Sequence, residues 1–543
     1  MSEPKRKGGA KGFLANILVT LVFGLVYFYL ELPAINLHDK NFYGFFFLMA
    51  AVYCVMAFIT SGIYKVTQHG EFFASIKKTC FLPFILCVAL LVLLGVGTLA
   101  SSVVFRAGAY TDLLVPETGD FAHDVEEISF NKIPMLDASS AARLGDRKLG
   151  ELSDMVSQFE VSQVYSQINY NNVPVRVAPL EYGDFFKWLN NRSSGLPAYI
   201  VIDMVTQNAE VVRLSEGMKY SDNELFFRNI YRYIRFKYPT FMFDDVNFEI
   251  DDDGVPYWIC PRVEKTIGLF GGTDVHGAVL VNAITGDAQY YEDVPVWVDR
   301  VYAADLIIDQ YDYHGLYQNG FLNSIFGQKG VTVTTEGYNY IALNDDVYVY
   351  TGITSVGGDE SNIGFILVNQ RTKESKFYSC AGAEEYSAMN SAEGVVQHLQ
   401  YSATFPLLLN ISSQPTYFMA LKDNAGLVKM YAMVNVQQYN IVSTGATVSD
   451  CEKEYERLLS QNGVIAGGST GQAGVTGRVA DIRSAVIEGN TYYYFRLDGE
   501  SWYYSIPVSA SEEAVIVNEG DTVEITSAEE EGLIRQAGGL TIK

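Results

Sequence analysis

The chain has 543 residues, 49% hydrophobic and 19% charged, with 38 Lys+Arg against 63 Asp+Glu and a formal net charge of −25. Residues 1–105 hold 8 Lys+Arg and 4 Asp+Glu, a net +4, which leaves the remainder at −29. A body so acidic excludes nucleic acid and a broadly anionic surface as partners, since both are held by cationic contacts, and the length calls for several domains.

Three apolar stretches open the chain, at 13–30, 42–64 and 80–105. Each supplies the roughly twenty residues that cross a hydrocarbon core of about 30 Å as a helix. A cleaved signal peptide does not fit the first, because no small-residue cleavage site follows it and two more spans do. Lys5, Arg6, Lys7 and Lys11 precede the first span, and Lys65, Lys77 and Lys78 lie between the second and third. The positive-inside rule puts both groups in the cytoplasm, so everything after residue 105 is expected outside. Gly95, Gly97, Ala100 and Ser101 form a small-residue stripe on the third span, suited to close helix contact.

Residues 106–180 read as a juxtamembrane connecting region, and 181–448 as a tandem of α+β modules. The segment 277–291, GAVLVNAITGDAQYY, aligns without gaps on 364–378, GFILVNQRTKESKFY, at a spacing of 87 residues. A fainter copy, AYIVIDMVTQNAEVV, occupies 198–212. In each, an apolar run ends at Asp203, Asn282 or Asn369, with Thr206, Thr285 or Thr372 three residues on. An Asx side chain there can bond the backbone of its own turn, which predicts three β-hairpins with equivalent turn positions. Helices are expected from the capping box Ser221-Asp222-Asn223-Glu224 onward, over 301–317 and over 384–399. Further strand pairs turn at Asp251-Asp252-Asp253-Gly254, at Asn344-Asp345-Asp346 and at Lys422-Asp423-Asn424.

A strand ending in D/N-x-x-T-G-D-A, running into a second strand beside a helix, resembles the PepSY module of protease propeptides and envelope proteins. Val281 through Asp287 carry the pattern most fully, whereas the other copies have Gln207 and Lys373 after the turn. The resemblance implies a non-catalytic binding or inhibitory module, often acting on an extracytoplasmic peptidase, and it carries over no catalytic residue.

A helix over 449–461 and a Gly-rich linker make up 449–475. Residues 476–543 then hold four or five short strands, the size of a small OB-like β-barrel, with 517–525 as its closing strand. The fold class is therefore α+β: three transmembrane helices, tandem sheet-plus-helix modules, and a barrel.

No HExxH, GxSxG, Walker A or GxGxxG occurs, and six histidines and six cysteines are scattered without metal-ligand spacing. No catalytic, cofactor or metal residue is expected. Asp251, Asp252 and Asp253 could offer oxygen ligands to Ca²⁺, but a turn accounts for them equally, and a cation there stays an open reading. Tyr257, Trp258, Trp297 and Tyr302 read either as core or as the lining of a peptide-binding groove. With more than 400 residues outside and no disulfide framework, the chain reads as a bacterial envelope protein, non-enzymatic and anchored in the bilayer. Its modules would bind or regulate another envelope protein, a peptidase among the candidates. The alternatives are a subunit of a membrane transport or assembly complex, and an envelope hydrolase with an unrecognised site.

Overall fold

The computed structural model describes residues 9–60, 69–125, 127, 133–134, 136–343, 345–356, 361–465, 473–487, 490–508, 511–527 and 533–543. Lys5, Arg6, Lys7 and Lys65, on which the orientation rests, lie outside the described residues, as do Asn344 of one expected turn and 466–472 of the Gly-rich linker. Two compact units emerge, Met1–Tyr455 and Glu456–Lys543.

Three helices open the first unit: α1 (Gly9–Glu31), α2 (Lys40–Thr60) and α3 (His69–Ala100). Within them Gly12–Glu31, Lys40–Thr60 and Thr79–Ala100 are long and apolar enough to cross a membrane. Only 17%, 11% and 6% of these windows are buried, so their apolar surface faces outward instead of forming a soluble core. The polar interruption in α1 faces inward, with the Asn16 amide and the Thr60 hydroxyl of α2 hydrogen-bonded at 2.8 Å. The third span stops at Ala100, short of 105, because the chain breaks at Ser101 and restarts as α4 (Val103–Thr111).

After β1 (Glu117–Thr118), α5 (Phe121–Asp124) and α6 (Ala138–Gly150) come four sheets. The first has β2 (Phe159–Val161), β3 (Ser166–Tyr170), β4 (Val173–Tyr182), β5 (Leu196–Asp203) and β6 (Ala209–Met218), with α7 (Phe185–Asn191) between β4 and β5. Past α8 (Ile230–Lys237), the second has β7 (Met242–Phe243), β8 (Asn247–Ile250), β9 (Pro256–Ile267), β10 (Gly271–Asn282) and β11 (Ala288–Tyr291). Past α9 (Ala304–Tyr317), the third has β12 (Thr332–Thr334), β13 (Asn339–Leu343), β14 (Asp346–Ser355), β15 (Ser361–Asn369) and β16 (Ser375–Ala383), and β1 joins its edge. Past α10 (Glu385–Val395), the fourth has β17 (Ser402–Ala403), β18 (Leu407–Ile411), β19 (Gln414–Lys422), β20 (Val428–Asn435) and β21 (Val442–Gly445), followed by α11 (Val448–Gln461).

The four sheets share one strand order. In each, a long strand (β4, β9, β14 or β19) pairs along its first half with the preceding hairpin strand and along its second half with a short edge strand. Its other side pairs with the strand that ends at the Asx turn. Being paired along both edges, these long strands are mostly buried; β4 is buried at eight of its ten positions. One core joins the first two sheets through Val177, Ile200, Phe248, Trp258 and Val279, all fully buried. The other face of the second sheet packs on Val298 and Val301, and the third sheet packs on Ile307 and Tyr311 of α9. Lys422–Asp137 (2.6 Å) and Arg143 donating to the Ala425 carbonyl (2.7 Å) bring the fourth sheet back to α6, beside the first.

Three expectations need correction. The boundary at 181 cuts through a sheet, since β2, β3 and β4 lie before it or across it. The helix expected from Ser221 starts at Ile230 with Asn229 as its cap. Ser221 Oγ does accept the Glu224 N–H (3.0 Å), but the Glu224 carboxylate turns inward to accept from Tyr182 and Trp188, so the reciprocal half of the capping box is missing. Third, the closing strand expected at 517–525 begins only at Thr522, where it pairs with the first strand of the second unit, and one more strand follows it in the chain. That unit is a five-stranded closed barrel in the order β22–β23–β24–β26–β25, from β22 (Ala473–Ile487), β23 (Asn490–Leu497), β24 (Tyr503–Pro507), β25 (Thr522–Ser527) and β26 (Ile534–Ile542). β26 slots between β24, which it meets in parallel, and β25.

Candidate functional site

Several long-range polar contacts gather where the three apolar helices meet α8 and the second sheet. Helix α1 ends at Glu31, the positive φ of 51° at Leu32 turns the chain, and the last carbonyls would be unsatisfied. Two cations on α8 fill that role: Arg232 Nε donates to Tyr29 O (3.1 Å) and Arg235 Nε to Leu32 O (2.9 Å). Both also suit the negative end of the helix dipole. Around them Phe28 meets Phe236 and Tyr29 meets Phe227, edge to face.

The start of α2 and the end of α3 grip one loop of the second sheet, 268–272. Ser101 Oγ accepts the Leu269 N–H (2.8 Å) and the Phe270 N–H (3.0 Å) and donates to Gly97 O (2.6 Å). His38 Nδ1 bonds Leu269 O (2.9 Å), and Phe270 packs on Tyr43. Gly271 is required here: a Cβ would lie 2.2 Å from the Tyr110 hydroxyl oxygen and 2.7 Å from Ser101 O. Gly97 and Ser101, read from sequence as a helix–helix stripe, thus receive a loop of their own chain, while Gly95 faces open space.

Beside this junction lies a cavity of about 380 Å³, between the 31–41 segment and the second sheet. Lys40, Arg235, Lys265 and His38 line it, with Glu31 and Asp39 as its carboxylates and Met242, Val263 and Phe270 among its apolar walls. Asp39 is committed to its own loop, accepting the Ala34 and Asn41 N–H groups at 3.2 and 2.9 Å. Lys265 Nζ donates to Thr273 Oγ1. Burial lowers the Lys265 pKa, and Lys40 nearby lowers it further.

A second polar cluster lies where the first three sheets meet. Glu249, fully buried, accepts the Asp299 and Arg300 N–H groups, each at 2.9 Å, and Asp299 accepts the Asn169 N–H at 2.7 Å. Burial pushes Glu249 up to about 7, and burial together with the Glu249 charge pushes Asp299 well above the carboxylate range. Burial, with Arg300 close by, brings Arg176 down to about 10. Gln167 Nε2, Asn169 Oδ1, Arg176 Nε, Asp299 Oδ1 and Arg300 Nε find no partner among the described residues. No local pattern signals this cluster, which joins residues of the first two sheets and of the loop before α9.

The three expected turn positions have matching geometry. Asp203 Oδ1 accepts the N–H groups of Val205 and Thr206, Asn282 Oδ1 those of Ile284 and Thr285, and Asn369 Oδ1 those of Arg371 and Thr372, all at 2.8–3.0 Å. Gln207, Gly286 and Lys373 follow with positive φ of 60°, 80° and 66°. Asn435 stands at the same place in the fourth sheet, accepting the Gln438 N–H at 2.8 Å, and sequence reading missed it. Asn369 and Asn435 are buried, and Asn369 donates to Asp346, which Arg371 also clasps at 2.6 and 2.7 Å.

The four aromatics do not line one groove. Trp258 is fully buried in the core between the first two sheets, its Nε1 donating to Tyr220 O at 2.9 Å. Tyr257, its neighbour on β9, faces the opposite side, as alternation along a strand requires, and packs on Trp297 at 5.0 Å. Tyr302 packs on the same cluster as Tyr257 and Trp297 and also reaches the core of the third sheet, its carbonyl taken by Gln370. Asp251 accepts from Asp253 and Val255 within its own turn. Among the described residues no three His, Cys, Asp or Glu side chains converge as a metal would need.

His314 is a structural tie, bonding the Thr111 carbonyl at 3.0 Å. Cys260, Cys380 and Cys451 are buried free thiols, and burial pushes Cys380 up to about 11 and Cys451 to about 12, away from thiolate chemistry.

No protein-family model matches the sequence, and the curated proteins give no match. Among solved structures a levansucrase mutant of B. megaterium aligns over 79% of this chain and 96% of its own, at 9% identity and a TM-score of 0.17. A likeness that slight carries no argument about fold or activity.

Proposed function

We propose that this chain is a non-enzymatic, membrane-anchored scaffold of a bacterial cell envelope, its N-terminus cytoplasmic, its α+β modules outside and engaged in binding or restraining another envelope protein. One observation carries the reading. The end of α1, the start of α2 and the end of α3 each bond to the second sheet or to α8. Three consecutive spans present those ends on one side of a bilayer, opposite the N-terminus. Sheets fixed to all three spans hold a set height above the membrane, which suits presentation to a neighbour in the same membrane.

The Asx turns shared by the first three sheets support reading them as PepSY-like modules, and the parallel β24–β26 pair supports an OB-like barrel. Histidines tied to carbonyls and thiols raised by burial support the non-enzymatic reading. Photocrosslinking amino acids at Leu427 and Tyr439, both exposed on the fourth sheet, test it in intact cells. The expected result is one dominant adduct to an envelope protein. Scattered adducts with no dominant product, or robust turnover of peptides or glycans by the purified full chain, would overturn the proposal.

A further inference from the structure

Three cations from three parts of the chain meet in the cavity beside the membrane junction: Lys40 opens α2, Arg235 sits on α8, and Lys265 lies on β9. A domain of net −29 has little general reason to gather them there. Among the described residues neither Lys40 nor Lys265 is in an ion pair. Lys40 lies over the Phe270 ring, and Lys265 has the Thr273 hydroxyl. Arg235 is oriented by its bonds to the Leu32 and Phe241 carbonyls, with Nη2 turned to neither. Of the two lining carboxylates, Asp39 is held by backbone N–H groups.

Depth identifies the ligand. Glu31 and Lys40, the last residue of one span and the first of the next, both line the cavity. It therefore lies where a bilayer places its headgroups, and its apolar walls lie beside its cations. The volume of about 380 Å³ falls within the range of sites that hold small ligands. We propose that this cavity binds the phosphate of a phospholipid headgroup, with Lys40, Lys265 and Arg235 around the phosphate oxygens and the glycerol against Met242 and Phe270. The proposal rests on α1–α3 being membrane spans.

Native mass spectrometry of the full chain, released from nanodiscs containing phosphatidylglycerol or a neutral diacyl glycolipid, tests it. Wild type should retain phosphatidylglycerol and not the glycolipid. The double variant Lys40→Gln/Lys265→Gln should lose retention by about thirtyfold, as two cations near an anionic lipid would give. Lys40→Arg/Lys265→Arg should keep it, which separates lost charge from lost packing. Equal retention by wild type and the Gln variant, retention of both lipids alike, or loss in the Arg variant too would each overturn the site. Inorganic phosphate that displaces the lipid at millimolar concentration would overturn the lipid as the source. Release of the chain from membranes by alkaline carbonate would instead overturn the spanning reading, and the lipid with it.

Discussion

Ser101→Ala probes how the sheets are held to the membrane helices. The Ser101 hydroxyl is buried and is the acceptor for two backbone N–H groups, those of Leu269 and Phe270. Alanine removes that acceptor and leaves the N–H groups facing a methyl. A buried donor stripped of its partner costs about 1–3 kcal/mol. Phe270 is buried and bears the full cost, whereas Leu269 is half-buried and regains part of it from water. The two together come to about 2–3 kcal/mol, which raises the undocked population of 268–272 by roughly thirty- to 150-fold. Hydrogen-exchange mass spectrometry of the full chain in detergent reads this directly. Exchange of the peptide holding Leu269 and Phe270 should accelerate by that factor, while peptides of β22–β26 keep their protection. Unchanged exchange at 269–270 would show that the hydroxyl does not hold the loop, and the account of the junction would fail.

Glu249 and Asp299 have pKa values raised in the folded state, so the native chain binds more protons than the unfolded one between the ordinary carboxylate range and the raised values. Their contribution to stability is therefore lost as pH rises, for Glu249 through about 7. Thermal unfolding between pH 5 and 8 should show Glu249→Gln with a flatter decline than wild type. Asn282→Ala should cost about 0.5–1.5 kcal/mol. Asn369→Ala should cost more, because it also strips a donor from the buried Asp346. Leu280→Ala and Leu367→Ala, at 4% and 3% exposed, should cost roughly 2–5 kcal/mol by denaturation, and near-neutral values would mark the hairpins as something other than scaffold. Cysteines placed at Ser2 and Ser484 in a cysteine-free background should react with an impermeant thiol reagent on intact cells only at Ser484; labelling at Ser2 would reverse the proposed orientation.

What could be read in advance was what a short window specifies. The spans follow from composition alone, and the turns at Asp203, Asn282 and Asn369 follow from a side chain bonding N–H groups two and three residues on. Asn435 escaped because its turn runs through Val436-Gln437-Gln438 and lacks the Thr that marked the others. The start of α8 was misplaced because Glu224 serves two distant donors, Tyr182 and Trp188, instead of its own helix end. The candidate site was not legible at all. Ser101 and Leu269 are 168 residues apart, and no local pattern distinguishes a glycine loop that packs on a membrane helix from one that joins two strands.

The capping of α1 by Arg232 and Arg235 carries a consequence for the order of biogenesis. The carbonyls of Tyr29 and Leu32 are synthesised early, yet the guanidinium groups that complete them are encoded 203 residues later. At about 5–20 residues per second, that is an interval of some 10–40 s between making the helix and finishing its end. During it the last carbonyls of α1 lack the partners that the folded chain gives them. Making the helix and completing its end are thus consecutive steps, and a chain truncated before 232 would have neither guanidinium to complete it.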